Sequence, residues 1–237
     1  MANPRSILRV GAIGATWATV MLILLLFVPW PLDVTFPGEE VLAGKMQLSS
    51  EDLAQYTNFF GVFLAIDGLF VIGWIVGWVG IAFLVRARSP WLGVVVLVTG
   101  LVPALLDLAE NEIMWAMIQG YQLDFPPQPS WFTAWKISRQ LSYWIFYAAA
   151  ALAGLGLWSD RLLDRLVTIV GTVLMAVVTP SLYLGSLPVA ASAWFLVWFA
   201  CTSVLLWRRA TEWPAAERTP PARKGRAGQE ATSTTGE

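Results

Sequence analysis

The stretch from Leu105 to Trp115 reads LLDLAENEIMW and sets Asp107, Glu110 and Asn111 at positions i, i+3 and i+4. On a helix those residues are neighbours on one face. Two carboxyls and an amide at that spacing can bind a cation, hold or pass a proton, or supply a general acid. Met114 continues the stripe at i+7, whereas Glu112 points elsewhere and is assigned to the rim.

Three further residues belong with this stripe by depth. Counted from the arginine-rich edge at about 1.5 Å per residue, Asp67 lies about 25 Å up its helix, Asp107 about 21 Å, Glu110 about 25 Å, Tyr143 about 21 Å and Arg139 about 27 Å, in a core about 30 Å thick. Polar residues of three consecutive helices therefore share one layer. An ionised carboxylate inside a membrane costs about 2.5–3.5 kcal/mol, so such groups face the bundle interior and find partners. Arg139 is the basic side chain at the right depth, with Lys136 one turn above it. One guanidinium neutralises one carboxylate, or bridges two. Asp67, Asp107 and Glu110 exceed that, so at least one carries a proton at neutral pH, or the layer holds a cation or opens to water. The candidate ligand-binding residues are thus Asp67, Asp107, Glu110, Asn111, Arg139 and Tyr143.

The elements that must position them are hydrophobic helices. Of 237 residues, 57% are hydrophobic and 13% charged, with a mean hydropathy of +0.63. A soluble domain carries about 25% charged residues. Six apolar runs reach the length needed to cross a bilayer, about 20 residues: about Val10 to Trp30, Phe59 to Val85, Trp91 to Trp115, Arg139 to Trp158, Leu162 to Leu184 and Ala190 to Trp207. Pro180 interrupts the fifth, and no strand-like alternation suggests a barrel. The first run is too long for a signal-peptide core and has no small-residue cleavage site after it, so it reads as a retained helix. The fold expected is an all-α, polytopic helix bundle over residues 1–211, followed by a disordered tail over 212–237.

Orientation follows from lysine and arginine placement. Arg5, Arg9, Arg86, Arg88, Arg161, Arg165, Arg208, Arg209 and the tail's Arg218, Arg223, Lys224 and Arg226 fall on one side, against Lys45, Lys136 and Arg139 on the other. Both termini are therefore expected in the cytoplasm, and the carboxylate layer near the outer surface. Trp30, Trp91, Trp115, Trp131, Trp135, Trp158, Trp194, Trp207 and Trp213 fall near the ends of the runs, where indole rings form interfacial belts. The acidic loop from Pro31 ends in Ser49-Ser50-Glu51-Asp52, a helix-start signal that places the second helix's origin near Ser50. Gly73, Gly77 and Gly80 permit close helix approach within the bundle. Pro103 lies one turn before Asp107 and frees a carbonyl near the acids.

Several chemistries are excluded. The chain has no histidine and one cysteine, Cys201, which removes the commonest metal ligand and general base. There is no phosphate-binding glycine loop and no Asp-rich prenyl-transfer motif. No cofactor, no metal and no nucleic-acid partner is expected; the net charge is −1. The overall pattern resembles that of small bacterial inner-membrane proteins, whose first partner is the lipid bilayer. Three functional readings remain. One is a binding or transport protein for a cation, a proton or a small amine-bearing or amphipathic molecule. The second is a structural or partner subunit whose acids fix helix packing. The third is a membrane enzyme on a lipid or isoprenoid, with a protonated carboxyl as general acid and Tyr143, Trp144 and Tyr147 stabilising positive charge.

Overall fold

The computed structural model describes residues 3–27, 50–123, 125, 128–159, 161–178 and 188–213. Every regular element among them is helical. Helix α1 is Pro4–Phe27, α2 Ser50–Arg86, α3 Pro90–Gln122, α4 Pro129–Leu157, α5 Leu162–Ile169 and α6 Pro188–Glu212. Helix α5 continues as a wider, π-helical stretch over Val170–Val178. Four segments, Pro4–Leu26, Thr57–Arg86, Pro90–Gln122 and Pro129–Leu157, are long and apolar enough to cross a membrane, which suggests a membrane protein. The loop from Pro31 to Ser49, Pro180 in the fifth run, and the tail from 214 onward lie outside the described residues.

Helix boundaries differ from the apolar runs in an instructive way. Helix α3 runs on past Trp115 to Gln122, and α4 starts at Pro129, ten positions before Arg139. An apolar run measures the thickness of hydrocarbon, whereas helix length is limited by breakers and caps. Pro90 and Pro129 occupy the first helical positions, where the missing N–H costs nothing and φ is already set. The acids of α3 therefore sit well inside a helix rather than at its frayed end. The second helix does begin at Ser50.

Neighbouring helices pack in chain order, α1 on α2, α2 on α3 and α3 on α4, and α6 closes against α1. In lipid there is no hydrophobic drive between helices, so tight van der Waals approach carries the association. The α1–α2 seam shows this. A Cβ added to Gly73 would lie 2.8 Å from the Ala18 nitrogen, and one on Gly77 3.0 Å from the Ala15 nitrogen. Gly80 meets Gly11, where a Cβ would come within 3.0 Å of the Gly11 Cα. The glycine spacing thus serves packing inside the bundle.

Two apolar clusters result. The larger is centred on Trp74, Trp78, Phe146, Phe195, Trp198 and Phe199, with Trp74 edge-on to Phe146 at 4.8 Å and Phe146 stacked on Phe195 at 4.7 Å. Trp78 donates its indole N–H to the Val96 carbonyl at 2.6 Å. Its ring lies over Gly100, where any Cβ would collide with it. The smaller cluster joins Phe59, Phe60, Met114, Met117, Ile118 and Trp135. Trp135 is therefore a core residue at 4% exposure and not an interfacial ring, because α4 starts early enough to carry it into the bundle. Trp91, Trp158 and Trp207 remain exposed, as belt residues should.

Candidate functional site

The carboxylate layer lies between those two clusters. Along α2, Asp67 follows Phe59 and Phe60 and precedes Phe70; along α4, Arg139 falls between Trp135 and Phe146. The geometry of three antiparallel helices brings all six candidate residues together. Asn111 donates its amide to Asp67 Oδ2 at 2.6 Å, linking α3 to α2. Asp107, one turn below Asn111, sets its carboxyl against that of Asp67 within hydrogen-bonding reach. Glu110 Oε1 lies 3.8 Å from Arg139 Nε, linking α3 to α4, and the Glu110 side chain is only 12% exposed. Arg139 is flanked by aromatic faces, its guanidinium carbon 5.3 Å from the Trp135 ring centre and 5.9 Å from that of Tyr143. Arg contacts of this kind offset part of the cost of desolvating the cation.

Charge and hydrogen-bond accounting sharpen the picture. Arg139 pairs with Glu110 and lies against the two rings, and Asn111 donates to Asp67. Asp107 Oδ2 is sealed from solvent and has no hydrogen-bond partner. A buried polar atom without a partner costs about 1–3 kcal/mol, and such an atom is where a missing proton or cationic donor would sit. Two carboxyls in contact, as Asp67 and Asp107 are, share that contact comfortably only with a proton or cation between them.

Serines that the spacing argument did not single out complete the supports. Ser138 donates to the Leu106 carbonyl at 3.2 Å and Ser142 to the Pro103 carbonyl at 3.0 Å. Both bonds tie α4 to the backbone of α3 directly beneath the acids. Pro103 itself is accommodated within a continuous helix. Two serines one helical turn apart, at 138 and 142, were the available signal. Tyr147 stacks on Tyr143 at 6.4 Å and turns into the core against Phe195, while Trp144 is 45% exposed. Of the three aromatics of the enzyme reading, Tyr143 therefore borders the layer through Arg139, whereas Tyr147 packs into the core and Trp144 is exposed.

Access is lateral. The smaller apolar cluster covers the layer on one side and the larger on the other. Between α2 and α3, however, a cavity of about 250 Å³ is lined by Gly61, Gly68, Asn111, Glu112 and Trp115, among others. Glu112, assigned to the rim from its position, is exposed and lines this opening. Asn111 both lines the cavity and bonds Asp67. Gly68 leaves open space where a side chain would be: a Cβ there meets nothing within 4 Å. Among the described residues no group of three histidine, cysteine or carboxylate side chains has the geometry of a metal site. No protein-family model, no curated protein and no solved structure matches this chain.

Proposed function

We propose that this chain is a six-span plasma-membrane protein, with both termini in the cytoplasm, that binds a small cation in its outer carboxylate layer. The occupant is a proton in the resting state and an amine-bearing small molecule in the bound state. The observation that carries this reading is the sealed, unpartnered Oδ2 of Asp107 beside the Asp67 carboxyl. The lateral cavity at Asn111 supplies a route of suitable size, and Glu112 at its mouth favours a cation on approach.

The test is a calorimetric titration of the purified full chain with butylammonium at pH 7, with the pH of a weakly buffered sample followed in parallel. Binding with release of a proton in the wild type, lost in Asp107→Asn and in Asp67→Asn, is expected. The reading fails if the wild type neither binds the amine nor releases a proton. A cysteine placed at Glu39 and labelled only from the cytoplasmic side would overturn the topology.

A second reading is favoured by a specific observation. The Asn111–Asp67 hydrogen bond and the Glu110–Arg139 ion pair each cross a helix interface, as they would in a subunit whose acids only fix packing. Under that reading both aspartate-to-asparagine variants lose thermal stability in detergent, and the wild type binds no amine.

A further inference from the structure

The opposite end of the bundle carries the reverse surplus of charge. Arg88 follows the last turn of α2, Asp164 lies in the first turn of α5, and Arg208, Arg209 and Glu212 close α6. Asp164 is buried, with 2% side-chain exposure, and receives Arg88 Nη2 at 2.8 Å. Arg209 and the Ser159 hydroxyl also donate to it. Arg88 is fixed further by the carbonyls of Gly156 and Trp158, at 3.3 and 3.2 Å. These two arginines cannot leave Asp164 without stranding a buried charge.

Arg161 and Arg208 are placed differently. Both reach Glu212, Arg161 Nη1 at 2.6 Å from Oε2 and Arg208 Nε at 2.6 Å from Oε1, with their side chains 59% and 63% exposed. Two cavities, of about 210 and about 330 Å³, flank this arrangement and share Arg161, Arg209 and Glu212 as walls. Among the described residues the four guanidinium groups face two carboxylates, a surplus of two positive charges at the cavities. The hydrogen bond from Arg208, with the charges of Arg208, Arg161 and Arg209, holds the Glu212 carboxyl below the ordinary glutamate range despite some desolvation. Glu212 is therefore an anion at neutral pH, clasped by two arginines whose side chains are exposed to solvent.

We propose that Arg161 and Arg208, with Arg209 behind them, bind a phosphate-bearing anion, and that Glu212 fills its place when none is bound. Guanidinium forks match phosphate oxygens two at a time, and a phosphate monoester supplies the two negative charges that the cavities lack. Basic pockets between helices at a membrane face hold acidic lipid headgroups. Trp158 and Trp207, exposed at this same end, are the ring types found at headgroup depth. The phosphate can belong to an acidic lipid of the adjoining leaflet or to a soluble phosphate compound, and either source meets the same two arginines.

The test uses the full chain in phosphatidylcholine nanodiscs, titrated at low salt with phosphatidic acid and, separately, with inorganic phosphate. A preference of at least tenfold for phosphatidic acid over phosphatidylcholine is expected, reduced at least tenfold in Arg161→Gln/Arg208→Gln and increased severalfold in Glu212→Gln, which removes the internal competitor. Competition by inorganic phosphate assigns the site to soluble phosphate compounds, and its failure to compete assigns the site to the lipid headgroup. The proposal is overturned if neither probe binds, or if the double variant binds phosphatidic acid as well as the wild type does. Should the double variant not fold, Glu212→Gln decides alone: unchanged or weaker binding overturns the proposal.

Discussion

The two ends of this bundle solve the problem of buried charge in opposite ways. At the arginine-rich end, the buried carboxylate Asp164 is held by two guanidinium groups and a hydroxyl. In the carboxylate layer Glu110 pairs with Arg139 and Asp67 accepts from Asn111, while Asp107 Oδ2 has no hydrogen-bond partner. An over-satisfied anion is a fastener. An under-satisfied one is an acceptor waiting for a donor. The same comparison predicts which charge each end attracts: anions to the surplus of arginines, cations to the surplus of carboxyls.

The largest effect expected from breaking the comparison is at Asp164. Removing one member of a buried ion pair costs about 3–5 kcal/mol; because Arg88 is 36% exposed and water will screen it, Asp164→Asn is expected to cost about 2–3 kcal/mol. Thermal unfolding of the purified protein in detergent measures it, and an unchanged midpoint would show that Asp164 is not a fastener. A smaller loss is expected at Asn111→Ala, where one interhelical hydrogen bond to Asp67 disappears, at about 1 kcal/mol. Asp107→Asn should behave unlike both. It removes a carboxyl whose oxygen lacks a partner, so stability is expected to stay within about 0.5 kcal/mol of wild type, or to rise, while amine binding is lost. A marked loss of stability there would make the two ends alike and favour the structural reading.

Gly68→Leu sharpens the same contrast without touching a charge. The new side chain enters open space beside Asn111, so the fold should be retained with stability changed by no more than about 0.5 kcal/mol. Amine binding should fall at least tenfold, measured by the same titration; undiminished binding would refute lateral entry. The smallest effect is at Glu212. Its carboxyl titrates below the ordinary glutamate range because Arg208, Arg161 and Arg209 favour its charged form. A depressed carboxyl stabilises the fold above its unfolded value, about pH 4.3, and that contribution is lost as pH falls through the folded value. Since Glu212 is exposed to solvent, the step should be small and should vanish at 1 M salt. An acid-side step in unfolding temperature that is the same in wild type and Glu212→Gln would show no such contribution.

Much of the carboxylate layer was legible before any tertiary structure. The i, i+3, i+4 stripe of α3 and the shared depth of Asp67, Glu110 and Arg139 come from helix geometry alone, and helices in a membrane are stiff, nearly parallel rulers. Asp164 was not legible for the same reason in reverse. It sits in Arg161-Leu-Leu-Asp-Arg-Leu, an ordinary helix start, and its partners Arg88 and Arg209 lie 76 and 45 positions away. Neither hydropathy nor spacing encodes which end-of-helix arginines converge on one acid. Trp135 is buried rather than interfacial because α4 begins ten positions before the apolar run does, and Ser138 and Ser142 carry no hydropathy signal because a helix hydroxyl is inexpensive where it finds a carbonyl.

What the sequence by itself determined is therefore the class of structure and one layer within it. Runs of apolar residues must become helices where no water can satisfy the backbone, and periodicity then dictates which side chains share a face. Only the tertiary structure decided how the charges are distributed among partners. It gave Arg139 to Glu110, Asn111 to Asp67 and two arginines to Asp164, left Asp107 with an empty acceptor, and opened a cavity at Gly68. Those assignments depend on interhelical distances of a few ångströms, set by where glycines let α1 meet α2 and where Trp78 seats on Gly100. Packing at that scale is a property of facing surfaces, and no single stretch of sequence contains both.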